Sequence, residues 1–166
     1  VLAVFMGMIL TLPISSAALS IALGLEGLAA GAALTGCCCQ IIGFAVMSYK
    51  ENKVGGLISQ GLGTSMLQIP NIIKNPLIWI PPTLASALLG PISTTVFKMK
   101  ADSVGAGMGT SGLVGQFSTY SVMGNEAFIG IALLHFLLPA VLSYAISMYM
   151  RKKGYIKEND LLLQNK

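Results

Sequence analysis

Gly55 to Asn75 reads GGLISQGLGTSMLQIPNIIKN, and Val104 to Asn125 reads VGAGMGTSGLVGQFSTYSVMGN. Both stretches contain Gly-X-Gly-Thr-Ser: Gly61, Gly63, Thr64 and Ser65 in the first, Gly107, Gly109, Thr110 and Ser111 in the second. Each follows a long apolar run that ends in lysine, and each leads to an asparagine that opens the next apolar run. Lys50 and Lys100, Val54 and Val104, and Asn75 and Asn125 recur at a spacing of about 50 residues, which is a repeat signal. The glycines are offset by a few residues, so the copies are imperfect.

Glycine destabilises a helix interior by about 1 kcal/mol relative to alanine. Thr and Ser hydroxyls bond back to carbonyls and bend helices. Both stretches therefore read as broken or re-entrant segments. Such backbone is tolerated at membrane depth only where protein or a cavity faces it.

The bilayer setting follows from composition. Charged residues make up 10% of the chain and hydrophobic residues 54%, whereas a soluble domain is about a quarter charged. Several apolar runs exceed the roughly 20 residues that span a bilayer. The expected fold is all-α: a polytopic helical membrane protein with internal repeats of about 50 residues. The net charge of +4 is attributed to loop cations, not to nucleic-acid binding.

Val1 to Leu23 reads as a first helix broken at Pro13 within LPISS, and Gly27 to Tyr49 as a second. In the second, the Gly27/Gly31 and Ala32/Gly36 pairs have the spacing that lets helix backbones approach closely. Cys37 to Cys39 are consecutive, so their side chains point about 100° apart and cannot converge on a metal. Pro76 to Phe97 and Ala127 to Met150 supply two more apolar helices.

Three long helices end on basic residues, at Lys50, Lys100 and Arg151. The positive-inside rule then makes them parallel, with both Gly-rich segments crossing back: six crossings. The rival arrangement has four crossings and two re-entrant segments, with Lys98 and Lys100 outside. Residues 1–150 form the membrane domain, and residues 151–166 are expected to be a peripheral, cytoplasmic tail. No initiator Met, basic leader or cleavage site precedes Val1, and an N-terminal portion is expected to be missing.

Broken helices at matching places in two repeats point to a transporter's substrate site. Free backbone groups at a break, with nearby amides and hydroxyls, suit a ligand rich in hydroxyls. The candidate ligand residues are Gln60, Gly61, Gly63, Thr64, Ser65, Gly107, Gly109, Thr110, Ser111, Gln116, Asn125, Glu126 and His135, with Gln68 and Asn71 close by. Both Gly-X-Gly-Thr-Ser segments are expected to meet around one polar cavity, with Glu126 at its rim. The competing reading gives the glycines to helix packing, Glu126 to a solvated helix N-terminus and His135 to a packed, hydrogen-bonded position. No nucleophile–base pair can be picked out, no metal-ligand spacing is present, and no cofactor is expected. The motif is not a phosphate loop, because no Gly-Lys-Ser/Thr follows it.

GGLISQGLGTSMLQIPNIIKNP together with GPISTTVFKMKADSVGAGMGTSGLVGQF resembles the membrane permease (IIC) subunits of the bacterial phosphoenolpyruvate-dependent sugar phosphotransferase system, in a compact IIC-like branch. The resemblance runs from about Pro13 onward and is to the C-terminal half of a longer permease. It implies a multi-pass protein of the bacterial cell membrane that binds a sugar from outside and presents it to cytoplasmic IIA/IIB subunits for phosphorylation. Implied partners are the sugar, membrane lipid, those subunits, and an N-terminal half or second protomer. The chain departs from the pattern in lacking a IIA or IIB domain and the His and Glu-Pro signatures of glucose-type permeases. The alternative is a IIC-like protein not coupled to phosphotransfer: an uncoupled carrier, a channel, or a regulatory or lipid-binding protein. The scarcity of aromatics near the Gly-rich segments, with only Trp79, Phe117 and Tyr120 close, favours that alternative.

Overall fold

The computed structural model describes residues 1–163. Those residues form helices, plus one isolated antiparallel bridge between Gly27 and Ala101. Helices α1 (Leu2–Thr11) and α2 (Ser16–Ala22) flank the turn at Pro13, and α3 (Gly27–Met47) follows. Next, α4 (Tyr49–Ile58) leads through a π-helical turn (Ser59–Gly63) and a 3-10 turn (Ser65–Gln68) into α5 (Ile69–Lys74). A 3-10 turn (Pro76–Trp79) opens α6 (Ile80–Thr95). Then come α7 (Ser103–Ala106), a 3-10 turn (Ser111–Leu113) and α8 (Val114–Met123). A last 3-10 turn (Gly124–Glu126) opens α9 (Ala127–Gly130), which continues through a π segment (Ile131–Leu137) into α10 (Leu138–Lys152).

The mast of the molecule is α3. Every residue from Ala30 to Ile41 is buried, as expected for a helix that is apolar all round. Small residues let its neighbours reach the backbone. A Cβ on Gly31 would collide with the Met99 carbonyl, and one on Gly36 with the Ala3 carbonyl. On the facing helix, a Cβ on Gly7 would lie 2.7 Å from the Gly36 oxygen. Gly31 and Gly36 thus serve close packing, as their spacing suggests. Gly27 does not: its φ of +58° makes it the turn residue that starts the helix. Cys37, Cys38 and Cys39 are all buried packing residues.

The direction of the helices corrects the sequence reading. Thr35 donates to Ser93 Oγ at 3.0 Å, Ser86 to the Gly36 carbonyl at 3.2 Å, and Gln40 Nε2 to Thr83 Oγ1 at 3.2 Å. Gly43 packs on Pro82. Rising numbers on α3 meet falling numbers on α6, so these two helices are antiparallel, not parallel. The last helix runs with α3: Gly130 packs on Met99, Ser143 on Gly43, and Arg151 pairs with Glu51 at 2.8 Å. Lys50 and Arg151 therefore share one end, and Lys100, bridged through Ala101 to Gly27, lies at the other. The expected three parallel helices with six crossings fail for a simple reason. A spacing of 50 residues counts positions, and the first Gly-rich stretch turns back instead of running through.

Both Gly-rich stretches are hairpins. The first leaves the Lys50 end, turns at Gly61–Ser65 and returns, since Asn52, Gln68 and Asn71 all reach residues 161–162 of the tail. The second leaves the Lys100 end at Ala101, turns at Gly109–Leu113, and returns to Met123, whose sulfur accepts from Lys100 N. The chain then reverses at Gly124 (φ +63°), and the aromatic pair Tyr120–Phe128, with ring centroids 5.3 Å apart, packs across that turn. Among the described residues, three stretches are long and apolar enough to cross a bilayer: Gly27–Met47, Pro76–Thr95 and Ser111–Lys152. The third is folded at Gly124, so its straight part begins at Ala127.

The tail is the second correction. Ile156 and Leu161 are buried in a core with Phe44, Met47, Ile72, Ile78 and Met150. The segment is docked, not peripheral: two apolar anchors in a polar stretch suffice once side-chain amides satisfy its backbone. Residues 164–166 of the expected tail lie outside the described residues.

Candidate functional site

The tip of the first hairpin is a break in a helix. Thr64 adopts an extended conformation (φ −152°, ψ 142°), and its hydroxyl accepts from Met66 N at 3.1 Å to start the next turn. The tip of the second is a left-handed turn. Gly109 (φ +58°), Gly112 (φ +53°) and Leu113 (φ +59°) all have positive φ, a region that glycine enters without steric cost. Asp102 caps the approach by accepting from Gly105 N at 2.7 Å.

The two tips touch. Thr110 Oγ1 donates to the Gly61 carbonyl at 2.7 Å, inside the protein. The α1–α2 turn binds each of them. Thr11 Oγ1 and Ser65 Oγ lie 2.9 Å apart, and Ser16 Oγ donates to the Gly107 carbonyl at 2.6 Å. Ser20 donates to the Ser103 carbonyl further along the second hairpin. Gln40, on α3, accepts from Trp79 Nε1 at 3.0 Å and from Thr11 at 3.4 Å.

A cavity of about 180 Å³ opens where the three meet. Its walls are Leu10, Ile14, Ser15, Ser16, Ala17 and Ile41, with Gly63, Thr64 and Met66 from the first tip and Gly107, Met108 and Ser111 from the second. Apolar walls carrying a few hydroxyls are the usual makeup of a small-molecule site, though most such sites are larger, at roughly 300–1,000 Å³. Its walls carry hydroxyls and no charged side chain. A larger open basin of about 660 Å³ lies at the Lys50 end, among Lys50, Glu51, Arg151 and Lys157. It touches neither Gly-X-Gly-Thr-Ser motif, so the smaller cavity is the candidate.

The ligand residues expected from the sequence fall into three groups in space. Gly63, Thr64, Gly107 and Ser111 line the cavity. Gly61, Ser65 and Thr110 are buried just behind it and join the tips, and Gly109 packs beside them against Cys37 and Ile41. The rest lie elsewhere. Gln60 is fully buried but faces the tail side: it donates to Ser48 at 2.8 Å and accepts from Gln68 at 2.9 Å. Gln116 and His135 form a separate buried pair, with the amide nitrogen 3.3 Å from His135 Nδ1 and 3.6 Å from Cys38 Sγ. Gln116 Oε1 and His135 Nε2 have no protein partner among the described residues. Asn125 and Glu126 are exposed at the Lys100 end and are not among the cavity walls. The cavity walls that sequence reasoning did not single out are Leu10, Ile14, Ser15, Ser16, Ala17, Ile41, Met66 and Met108. The signal for the serines was present in LPISS, where a proline break is followed, after Ile14, by two hydroxyls.

A family model described as "Phosphotransferase system, EIIC" matches residues 1–163. No curated protein and no solved structure matches the chain.

Proposed function

The chain belongs to the EIIC family of the phosphotransferase system, the membrane permease components of sugar transport, and from that premise we propose that it holds its sugar in the cavity between the two Gly-rich tips. The observation that carries this reading is the Thr110–Gly61 hydrogen bond of 2.7 Å, which joins the two irregular segments beside one hydroxyl-lined space. Backbone breaks in a bilayer need polar company, since unsatisfied groups there cost several kcal/mol each. A cavity with Ser15, Ser16, Thr64 and Ser111 on its walls supplies that company and suits sugar hydroxyls.

In this reading both hairpins are re-entrant and enter from opposite faces of the membrane. The orientation rests on charge. Lys50, Lys53, Lys74, Arg151, Lys152, Lys153 and Lys157 collect at one end with Glu51, Glu158 and Asp160, whereas only Lys98 and Lys100 among the described cations share the other, with Glu26, Asp102 and Glu126. The cation-rich end is the cytoplasmic one, so the C-terminal segment is cytoplasmic, and sugar passes from the second tip to the first. Separate IIA/IIB subunits then phosphorylate it at that face.

One observation favours an uncoupled carrier or lipid-binding protein instead. The cavity has no aromatic face and no carboxylate on its walls. Sugar uptake by whole cells, with and without phosphoenolpyruvate-dependent phosphorylation, separates the two. Uptake that stops when phosphorylation is removed supports coupling. Unchanged uptake supports the uncoupled carrier.

A further inference from the structure

The first hairpin is held at its base by the C-terminal segment. Asn52 donates to the Leu161 carbonyl at 2.8 Å and accepts from Leu163 N at 2.8 Å. Gln68 donates to the same Leu161 carbonyl at 3.1 Å, and Asn71 to the Leu162 carbonyl at 2.9 Å. Asn75 reaches the Tyr155 carbonyl at 3.0 Å and Asp160 at 2.7 Å. Both legs are therefore tied to one short stretch of chain, and nearly every tie is a side-chain amide on a backbone group.

That chemistry differs from the packing of the mast. Amide-to-carbonyl bonds exchange readily for bonds to water, so each contributes little net stability. Backbone carbonyls set into helix surfaces, as at Gly36, cannot be released without opening the core. The backbone at the hairpin's base departs from regular helix on both legs. Lys53 sits at φ 54°, ψ −151°, a sparsely populated conformation for a residue with a side chain, and the space around Gly55 is open. Asn75, at the other leg, is extended (φ −139°, ψ 91°).

We infer that Tyr155–Leu163 is a strap that locks the first Gly-rich hairpin, which swings on Lys53–Gly55 and Asn75 when the strap lets go. Ile156 and Leu161 seat the strap, and the amides set the hairpin's position relative to the cavity. The idea that this swing gates a ligand rests on the sugar-permease reading above. The lock itself does not.

The test is amide hydrogen exchange on the purified chain in lipid nanodiscs, without sugar. Asn52→Ala removes two strap bonds and touches neither tip. A second form ends at Gly154. The strap predicts about tenfold or faster exchange over residues 57–68 in both forms, with Ala30–Ile41 of α3, away from the strap's seat on Phe44 and Met47, unchanged. Unchanged protection at 57–68 in both forms overturns it. An equal rise over Ala30–Ile41 also overturns it, because the segment would then be ordinary core. If the hairpin is released in the variants yet the unaltered chain in the same nanodiscs binds no sugar, the lock stands and the sugar reading fails.

Discussion

Thr110→Val removes one hydroxyl from the place where the two tips join. Thr110 is fully buried, and valine has nearly the same shape, so no void opens. What changes is that the Gly61 carbonyl, at the broken end of its helix, loses its 2.7 Å donor. An orphaned buried acceptor costs about 1–3 kcal/mol. If that cost falls on the joined arrangement that holds the ligand, the sugar's Kd rises about five- to 150-fold, at tenfold per 1.4 kcal/mol. Thr110→Ser keeps the hydroxyl and gives up one methyl, worth about 0.8 kcal/mol, so it falls between the two. The assay is thermal unfolding in detergent with and without a saturating transported sugar. The expected order of sugar-dependent stabilisation is wild type, then Thr110→Ser, then Thr110→Val. A valine variant equal to wild type, or a serine variant as impaired as the valine, would refute the reasoning.

Gly36→Ala drives a Cβ into the Ala3 carbonyl; overpacking of a fixed backbone costs about 1–3 kcal/mol or more, so the melting temperature should drop with sugar present or absent. Gly63→Leu should abolish sugar binding while leaving insertion and folding intact, since nothing lies within 4 Å of a Cβ built there; scintillation proximity binding and size-exclusion profiles check both halves. Gly109→Leu should instead lower stability as well, because φ is +58° and a Cβ would already sit 3.0 Å from Cys37. Single cysteines replacing Lys100 and Lys153, in a background without Cys37–Cys39, should be labelled by an impermeant maleimide from opposite sides of the membrane; labelling from one side would break the antiparallel account.

Much of the architecture was legible because composition and small-residue spacing carry it directly. The helix at Gly27–Met47, its Gly31 and Gly36 contacts, the break at Pro13 and the irregular backbone of both Gly-X-Gly-Thr-Ser motifs all follow from local residues. Helix direction was not legible, because apolar periodicity is the same read up or down the membrane. Lys100 ends a helix in a basic cluster just as Lys50 does, and it takes contacts such as Thr35–Ser93 and Gln40–Thr83 to show that α6 runs the other way. The docked tail was hidden for another reason. Asn52, Gln68 and Asn71 bind backbone carbonyls, which every residue owns, so no pattern in Tyr155–Leu163 announces a partner. Gln68 and Asn71 looked like neighbours of a ligand in the sequence, and three dimensions turn them toward the strap. Gln116 and His135, 19 positions apart, are brought together only by the reversal at Gly124.

The central claim is that both Gly-rich tips face one sugar-binding cavity. Thr64→Cys and Ser111→Cys place a thiol on the cavity wall from each tip, in a chain whose three native cysteines are replaced. The rate of alkylation by a small maleimide is measured with and without the transported sugar. The account predicts that the same sugar slows modification at both positions, with matching concentration dependence, while a cysteine at exposed Glu126 is unaffected. Protection at one tip alone, or at neither, contradicts it.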